Sequence, residues 1–146
     1  MNNNYGIDIW SDGNFIIEDG LAKVNHDCKP SLISIVKDIR KQDFKGPLLL
    51  RFPHITNKQI TTLFDTFNSS IKEYDYKGTF SAVFPLKVNQ LPNFVHPLVS
   101  IGKKYNYGLE AGSKAELVIA MTYNNMGSPI TINGFKDKEM IHLCFI

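Results

Sequence analysis

Hydrophobic positions along the chain follow two periods, and the pattern changes near residue 78. Before that point, apolar residues recur at helical spacing in SLISIVKDI (31–39) and in ITTLFDTFNSSIKEY (60–74). Near the amino terminus, YGIDIW (5–10) and FIIEDG (15–20) flank the tetrapeptide SDGN, in which Asp-Gly suits a tight turn. The first half therefore predicts a β-hairpin followed by two amphipathic helices.

Glycine, proline and capping residues predict the boundaries of these elements. Gly46-Pro47 is expected to end the first helix, and LLLRF (48–52) is interpreted as a short buried strand. Thr56 or Asn57 is expected to cap the second helix, because a short polar side chain can accept a hydrogen bond from a free amide of the first turn.

After residue 78, short apolar runs alternate with helical patterns. Ser113 and Glu116 have the spacing of a capping box at the start of one helix, and Pro97 is expected to kink another. The predicted elements are, in order, a strand at 78–88, a helix at 92–104, a strand at 107–112, a helix at 113–125, a strand at 129–135 and a helix from residue 136 onward.

This alternation predicts an α/β fold with a parallel sheet and right-handed crossovers. Three parallel strands make neither a closed barrel nor a comfortable open sheet, and the apolar helical pattern of MIHLCFI (140–146) has no cap. We therefore expect either a truncated piece of a larger fold or a natural terminal helix docked on the sheet. Residues 1–77 are assigned to an N-terminal hairpin and helix segment, and residues 78–146 to the strand–helix units.

Composition and charge argue against several classes of function. A net charge of +2 on 146 residues is too small for nucleic-acid binding through bulk charge. No apolar stretch is long enough to cross a membrane, and the amino terminus lacks the features of a secretory signal. Cys28 and Cys144 are expected to be reduced in the cytoplasm, and the four histidines do not fall at the spacing of metal ligands.

One lysine, Lys87, lies among apolar residues in FPLKVNQ (84–90), near the end of a predicted strand. Burying a charge is unfavourable, so this side chain either extends to solvent or has a chemical role. A desolvated lysine loses its proton more readily, and the neutral amine condenses with aldehydes. In α/β barrels the chemistry lies at the carboxyl ends of the strands, where Lys87 is expected. Spacing alone leaves both interpretations open.

Three motifs follow one another in the second half of the chain: VFPLKVNQ (83–90), YGLEAGSKAELVIA (107–120) and INGFKDKEMIHL (132–143). Together they resemble the N-terminal portion of the biosynthetic arginine decarboxylases. The resemblance is dense from about Tyr76 to Leu143 and looser upstream. Phe84 stands where the family commonly has tyrosine, and this departure leaves the chemistry of the lysine untouched.

This resemblance implies a pyridoxal-phosphate enzyme built on an alanine-racemase-like barrel, of which the chain holds about three βα units at the start of a (β/α)8 TIM-like barrel. In this family the lysine of the matching motif forms the internal aldimine, which assigns Lys87. L-arginine would lose carbon dioxide to give agmatine, for putrescine and spermidine biosynthesis. Family members are also described as needing magnesium, for which no site is assigned here. The full-length enzyme is expected to be cytoplasmic and homo-oligomeric.

The resemblance also implies a role for an acid near the lysine, and Glu110 is the candidate for a cofactor-binding residue. It ends the second strand, where it either influences the charge state of Lys87 or is a solvated acid at a strand end. For Glu116 and Ser113 the capping role is favoured. Asn89 and Asn133 either line the site or shape turns.

The remaining machinery of the family has no matching segment in these residues. The phosphate-binding loop and the carboxylates that read the guanidinium group are expected beyond residue 146. We therefore expect the 146-residue chain to be inactive by itself. Two alternatives stay open: a non-catalytic remnant or interaction module, and another pyridoxal-phosphate barrel enzyme such as a diaminopimelate decarboxylase, an ornithine decarboxylase or an amino-acid racemase.

Overall fold

The computed structural model describes residues 5–145. The chain divides into two compact units, Met1–Arg51 and Phe52–Ile146, and each is described by itself. In the described part of the chain, no helix is both long enough and apolar enough to pass through a bilayer.

The first unit contains helix α1 (Ile7–Trp10), strands β1 (Phe15–Glu18) and β2 (Leu21–Val24), and helix α2 (Leu32–Arg40). The predicted hairpin between YGIDIW and FIIEDG is wrong. Ile7–Trp10 is helical, and β1 instead pairs in antiparallel register with β2.

The turn of the observed hairpin uses the second Asp-Gly pair of the region rather than the first. Asp19 and Gly20 both have positive φ, 53° and 72°, as a two-residue hairpin turn requires. The ammonium group of Lys23 then lies 2.8 Å from Glu18 Oε2 and 2.9 Å from Asp19 Oδ2. Glu18 and Lys23 belong to the two paired strands, so this ion pair ties the strands together beside the turn.

Helix α2 begins as its sequence predicts and ends earlier. The side chain of Ser31 caps it by accepting a hydrogen bond from the amide of Ser34, and the helix ends at Arg40, before Gly46-Pro47. The strand predicted for LLLRF (48–52) is wrong, because these residues have no ladder partner and Leu49 is 74% exposed.

The second unit begins with helix α3 (Pro53–Glu73), whose first residue is a proline. The predicted cap at Thr56 or Asn57 is therefore wrong, and the missed signal is the preference of proline for the first helical turn. The unit continues with β3 (Val83–Pro85), α4 (Pro92–Gly102), a 3-10 turn (Lys103–Tyr105), β4 (Gly108–Ala111), α5 (Lys114–Tyr123), β5 (Ile130–Ile132) and α6 (Lys138–Leu143). Pro97 lies inside α4, and Ile146, in the predicted terminal helix, lies outside the described residues.

Strands β3, β4 and β5 form one parallel sheet in the order in which they occur along the chain. Pro85 pairs with Glu110, and Glu110 pairs with Thr131. The predicted α/β fold with a parallel sheet is therefore confirmed. All three strands are shorter than predicted, since the sequence pattern continues into the loops on either side.

The core of the second unit lies between one face of this sheet and its helices. Leu86, Leu109 and Ala111 are fully buried, together with Val95 of α4 and Leu117 of α5. Glu110 alternates with Leu109 and Ala111 along β4, so its side chain points to the opposite face. On that face Glu110 is half-buried and its register partner Thr131 is exposed.

Aromatic rings fill the space at the amino ends of the strands. Phe64 of α3 is 2% exposed and stacks on Tyr105 with ring centroids 4.5 Å apart. It also meets Phe80 at 5.1 Å and Tyr107 at 5.7 Å, both edge-on. Burial raises the pKa of the Tyr107 hydroxyl above its ordinary value of 10.0.

Candidate active site

Lys87 lies in a turn directly after β3, at the carboxyl end of the strand. The amide of Leu86 donates to the carbonyl oxygen of Glu110 at 3.0 Å, and the amide of Val88 donates to that of Pro85 at 3.0 Å. Leu86 is fully buried, whereas Lys87 is exposed. The backbone position of Lys87 is therefore fixed by its neighbours. Within residues 5–145 its side chain extends to solvent, as the first of the two interpretations has it, and these residues do not supply the desolvation that the second requires.

Glu110 lies at the same end of the sheet as Lys87, as predicted from its place at the end of β4. Its carbonyl oxygen accepts a hydrogen bond from the amide of Leu86, the residue before Lys87. The backbone segments that carry the two candidate residues are therefore hydrogen-bonded to each other. Among the described residues, no hydrogen bond or ion pair joins the Lys87 and Glu110 side chains.

Glu116 is the buried carboxylate of this region, with an exposed fraction of 8%. Its amide donates to Ser113 Oγ at 3.2 Å, which confirms Ser113 as the cap of α5. Its carboxylate accepts the amide of Gly112 at 2.7 Å through Oε2 and the side-chain amide of Gln90 at 3.3 Å through Oε1. The Ser113 half of the predicted capping box is confirmed, whereas the Glu116 carboxylate binds the amide of Gly112, one residue before the cap, instead of that of Ser113. Gln90 is a partner that the sequence analysis missed.

Gly112 lies between the two acids. A Cβ atom at this position would be 3.3 Å from Glu116 Oε2 and 3.8 Å from Glu110 Oε1, so both carboxylates approach the same point of the backbone. Gly134 in turn lies against Gly112, and a Cβ atom there would be 2.2 Å from the Gly112 carbonyl oxygen. The loops after β4 and β5 therefore pack backbone to backbone.

Asn89 and Asn133 shape turns, which was one of their two predicted roles. Asn89 Oδ1 accepts the amide of Leu91 at 3.0 Å, immediately before α4. Asn133 Oδ1 accepts the amide of Gly134 at 2.8 Å, after β5. Both side chains accept a backbone amide within their own loop, and the Asn89 bond, to the residue two positions on, is of the kind that asparagine favours.

A separate group of charges joins the start of α5 to the start of α6. The Lys114 ammonium lies 2.8 Å from Asp137 Oδ2 and also contacts Glu139. Hydrogen bonds from Lys114 and from the Met140 amide hold the pKa of Asp137 below its ordinary value of 3.8. Asp137 also caps α6 through Met140, so this aspartate has both an electrostatic and a capping role.

Within residues 5–145, no group of three or more histidine, cysteine, aspartate or glutamate side chains has the geometry of a metal site. Cys28 and Cys144 are free and exposed. The chain thus brings together Lys87, Glu110, Glu116 and Gln90 around the loops at the carboxyl ends of β3 and β4. The sequence signal that could have indicated Gln90 is its place as a polar residue directly after Val88-Asn89 in the first motif.

Comparison with known proteins identifies the group to which the chain is similar. No protein-family model matches it. A biosynthetic arginine decarboxylase from Tolumonas auensis is 38% identical over 146 residues, and one from Prochlorococcus marinus is 37% identical over 145. The crystal structure of the biosynthetic arginine decarboxylase from Campylobacter jejuni is 60% identical and superposes with a TM-score of 0.93 over 96% of this chain.

These matches cover only part of the relatives. The chain spans 23% of the Tolumonas protein and 24% of the Campylobacter chain, in their N-terminal part. The resemblance to the N-terminal portion of biosynthetic arginine decarboxylases, predicted from the three sequence motifs, is confirmed.

Proposed function

We propose that this chain is the N-terminal portion of a pyridoxal-phosphate-dependent arginine decarboxylase, in which Lys87 carries the cofactor. The reaction converts L-arginine to agmatine and carbon dioxide. The observation that carries the proposal is the position of Lys87, in a fixed turn at the carboxyl end of a parallel strand. Ligands of parallel α/β sheets bind at that end.

The sheet of the second unit is proposed to be the start of a (β/α)8 barrel. The strands are parallel and occur in sequential order, and α4 and α5 pack on the face that bears Leu109. A closed barrel would turn the opposite face, which carries Glu110, toward its interior. Residues 78–146 would then be the first barrel units, and residues 1–77 the segment that leads into them.

The described residues can bind the aldehyde end of pyridoxal phosphate. Lys87 supplies a primary amine, the group that binds an aldehyde, and Glu110 supplies a carboxylate at the same end of the sheet. When bound, the cofactor would accept the electron pair of the Cα–carboxylate bond as carbon dioxide leaves the substrate. The groups that hold its phosphate, and any magnesium ion, are assigned to sequence beyond residue 146.

The role of Lys87 requires a neutral amine, which exposure to water opposes. In the complete enzyme, further strands and loops would cover the lysine and exclude water from it. Glu110 would bind the ammonium form and so hold the side chain in place while the lysine is not joined to the cofactor. A homo-oligomer in the cytoplasm is part of the same proposal.

The test uses a carrier enzyme, the Campylobacter jejuni arginine decarboxylase in which this chain replaces the matching segment. The close superposition makes this exchange feasible. The carrier enzyme should show a visible cofactor band that borohydride bleaches, and Lys87→Ala should abolish both the band and agmatine formation. Lys104→Ala is the matched control, because Lys104 is an exposed lysine next to the aromatic rings at the opposite end of the strands. Retention of the borohydride-sensitive band in Lys87→Ala would overturn the assignment.

The isolated chain is proposed to be inactive and to self-associate. Large apolar side chains are exposed in the second unit, among them Phe135 at 85%, Val88 at 71% and Met126 at 100%. Exposed apolar surface of this extent favours association. Gel filtration should show species larger than a monomer, and labelled arginine should release no carbon dioxide. Decarboxylation by the isolated chain at a rate near that of the carrier enzyme would contradict this part of the proposal.

A further inference from the structure

The loop that carries Lys87 is attached to the protein at two points. Leu86 anchors its beginning, through a fully buried side chain and a backbone hydrogen bond to β4. Gln90 anchors its end, through the 3.3 Å hydrogen bond from its side-chain amide to Glu116 Oε1. Lys87 lies between these anchors, and its own side chain is exposed.

The group that Gln90 binds is a carboxylate with little access to water. Glu116 is 8% exposed, and a buried carboxylate is unfavourable unless hydrogen-bond donors surround it. The amide of Gly112 satisfies Oε2 at 2.7 Å, and the start of α5 favours negative charge. Oε1 accepts the side-chain amide of Gln90, an otherwise exposed residue, at 3.3 Å, and this hydrogen bond links the carboxylate to the end of the Lys87 loop.

We propose that Glu116 and Gln90 form a clamp that positions Lys87 for the cofactor, with Glu116 and Gln90 as positioning residues rather than catalytic ones. The clamp joins the loop after β3 to the loop after β4, which also brings the backbone beside Glu110 into the same unit. This inference rests on the proposed function of Lys87. Correct orientation of a reacting amine contributes strongly to its rate, and a displacement of about 1 Å can lower that rate by about two orders of magnitude.

The first test needs no cofactor. In the cofactor-free carrier enzyme, Gln90→Ala should increase amide hydrogen exchange in the segment 86–91, because one of its two anchors is lost. Gln59→Ala is the matched control, since Gln59 is an exposed glutamine on α3. Unchanged exchange in segment 86–91 of the Gln90→Ala variant would overturn the clamp.

The second test measures the rate at which added pyridoxal phosphate becomes borohydride-trappable on the protein. Gln90→Ala and Glu116→Ala should each slow this step about tenfold. The double variant should be no slower than Glu116→Ala, because both changes remove one interaction. Glu116→Gln should stay within about threefold of the unmodified protein, since a glutamine can still accept from Gly112 and donate to Gln90. The melting temperature of Gln90→Ala should change little, which separates positioning from general loss of structure.

The outcomes separate this inference from the proposed function. If Lys87→Ala no longer takes up the cofactor covalently while Gln90→Ala and the double variant react at the normal rate, the clamp is wrong and the role of Lys87 stands. If Lys87→Ala still reacts, the proposed function fails, whatever segment 86–91 shows in hydrogen exchange. Effects of the two single changes that multiply in the double variant would also overturn the clamp.

Discussion

The two ends of the parallel sheet are built from different kinds of side chain. At the amino ends of the strands, Phe64, Phe80, Tyr105 and Tyr107 pack ring against ring, and Phe64 is almost completely buried. At the carboxyl ends, short loops carry an exposed lysine and two nearby carboxylates. The aromatic end buries apolar surface, and the polar end leaves charged groups where another molecule can reach them.

Because of this difference, one end of the sheet contributes mainly to stability and the other end mainly to chemistry. Aromatic side chains bury large areas, so the amino ends contribute most through packing. The carboxyl ends contribute positions for functional groups, and their few hydrogen bonds fix loops rather than build a core. Substitutions at the aromatic end should therefore change stability and leave chemistry alone, and substitutions at the polar end should do the reverse.

The largest effect on chemistry is expected for Lys87→Arg in the carrier enzyme. Arginine keeps the positive charge and much of the length, yet its guanidinium does not act as the amine nucleophile. Agmatine formation should fall by at least about three orders of magnitude, with the melting temperature unchanged. A loss of activity accompanied by unfolding would mean that Lys87 supports the structure, which would remove the contrast between the two ends.

The largest effect on stability is expected for Phe64→Ala. Truncating a buried phenylalanine destabilises a protein by about 3–5 kcal/mol, because packing is lost and a cavity remains. The melting temperature of the carrier enzyme should fall, while the activity per cofactor-loaded molecule should stay within about twofold. Phe67→Ala is the matched control on the same helix, since Phe67 is 46% exposed although it stacks on Phe80. An equal loss of stability in both variants would show that burial does not explain the role of Phe64.

An intermediate effect is expected for Glu110→Gln. Removing the carboxylate takes away the base that can accept a proton from the Lys87 ammonium, so covalent uptake of the cofactor should slow about tenfold. The Michaelis constant for arginine should not change, because the residues that read the guanidinium are assigned elsewhere. Glu139→Gln is the control, as Glu139 is an exposed acid paired with Lys114. Normal uptake in Glu110→Gln would favour the other interpretation, that of a solvated acid at a strand end.

The sequence predicted a local feature correctly where only one residue could supply the signal for it. Ser113 was correctly predicted as the cap of α5, because only one serine stands before that apolar run. The prediction of the hairpin was wrong because two Asp-Gly pairs lie close together, at 12–13 and 19–20. Local turn chemistry does not choose between them. The choice follows from which strands can pair, and β2 was not recognised as a strand.

The sequence indicated at which end of the sheet the candidate residues lie, but it did not predict the hydrogen bonds that join the loops there. The placement of Lys87 and Glu110 at the same end follows from the rule that parallel strands share a direction. The contact between Gln90 and Glu116 joins residues that are 26 positions apart, and no periodic pattern encodes it. The sequence left open whether Lys87 is exposed or desolvated, because that depends on which segments surround the loop.

The smallest effect is expected for Asp137→Asn, which tests whether charges at the carboxyl ends also stabilise the fold. The pKa of Asp137 is lowered by Lys114 and by the Met140 amide, so its contribution is fully present above its ordinary value of 3.8 and is lost as the pH falls further. Asparagine keeps the cap, because its side-chain oxygen can still accept from Met140. At pH 7 the melting temperature should therefore fall by no more than about 2 °C, because exposed ion pairs contribute little. The difference from the unmodified protein should stay constant down to about pH 4 and shrink below it. A difference that disappears between pH 7 and pH 5 would contradict the lowered pKa of Asp137.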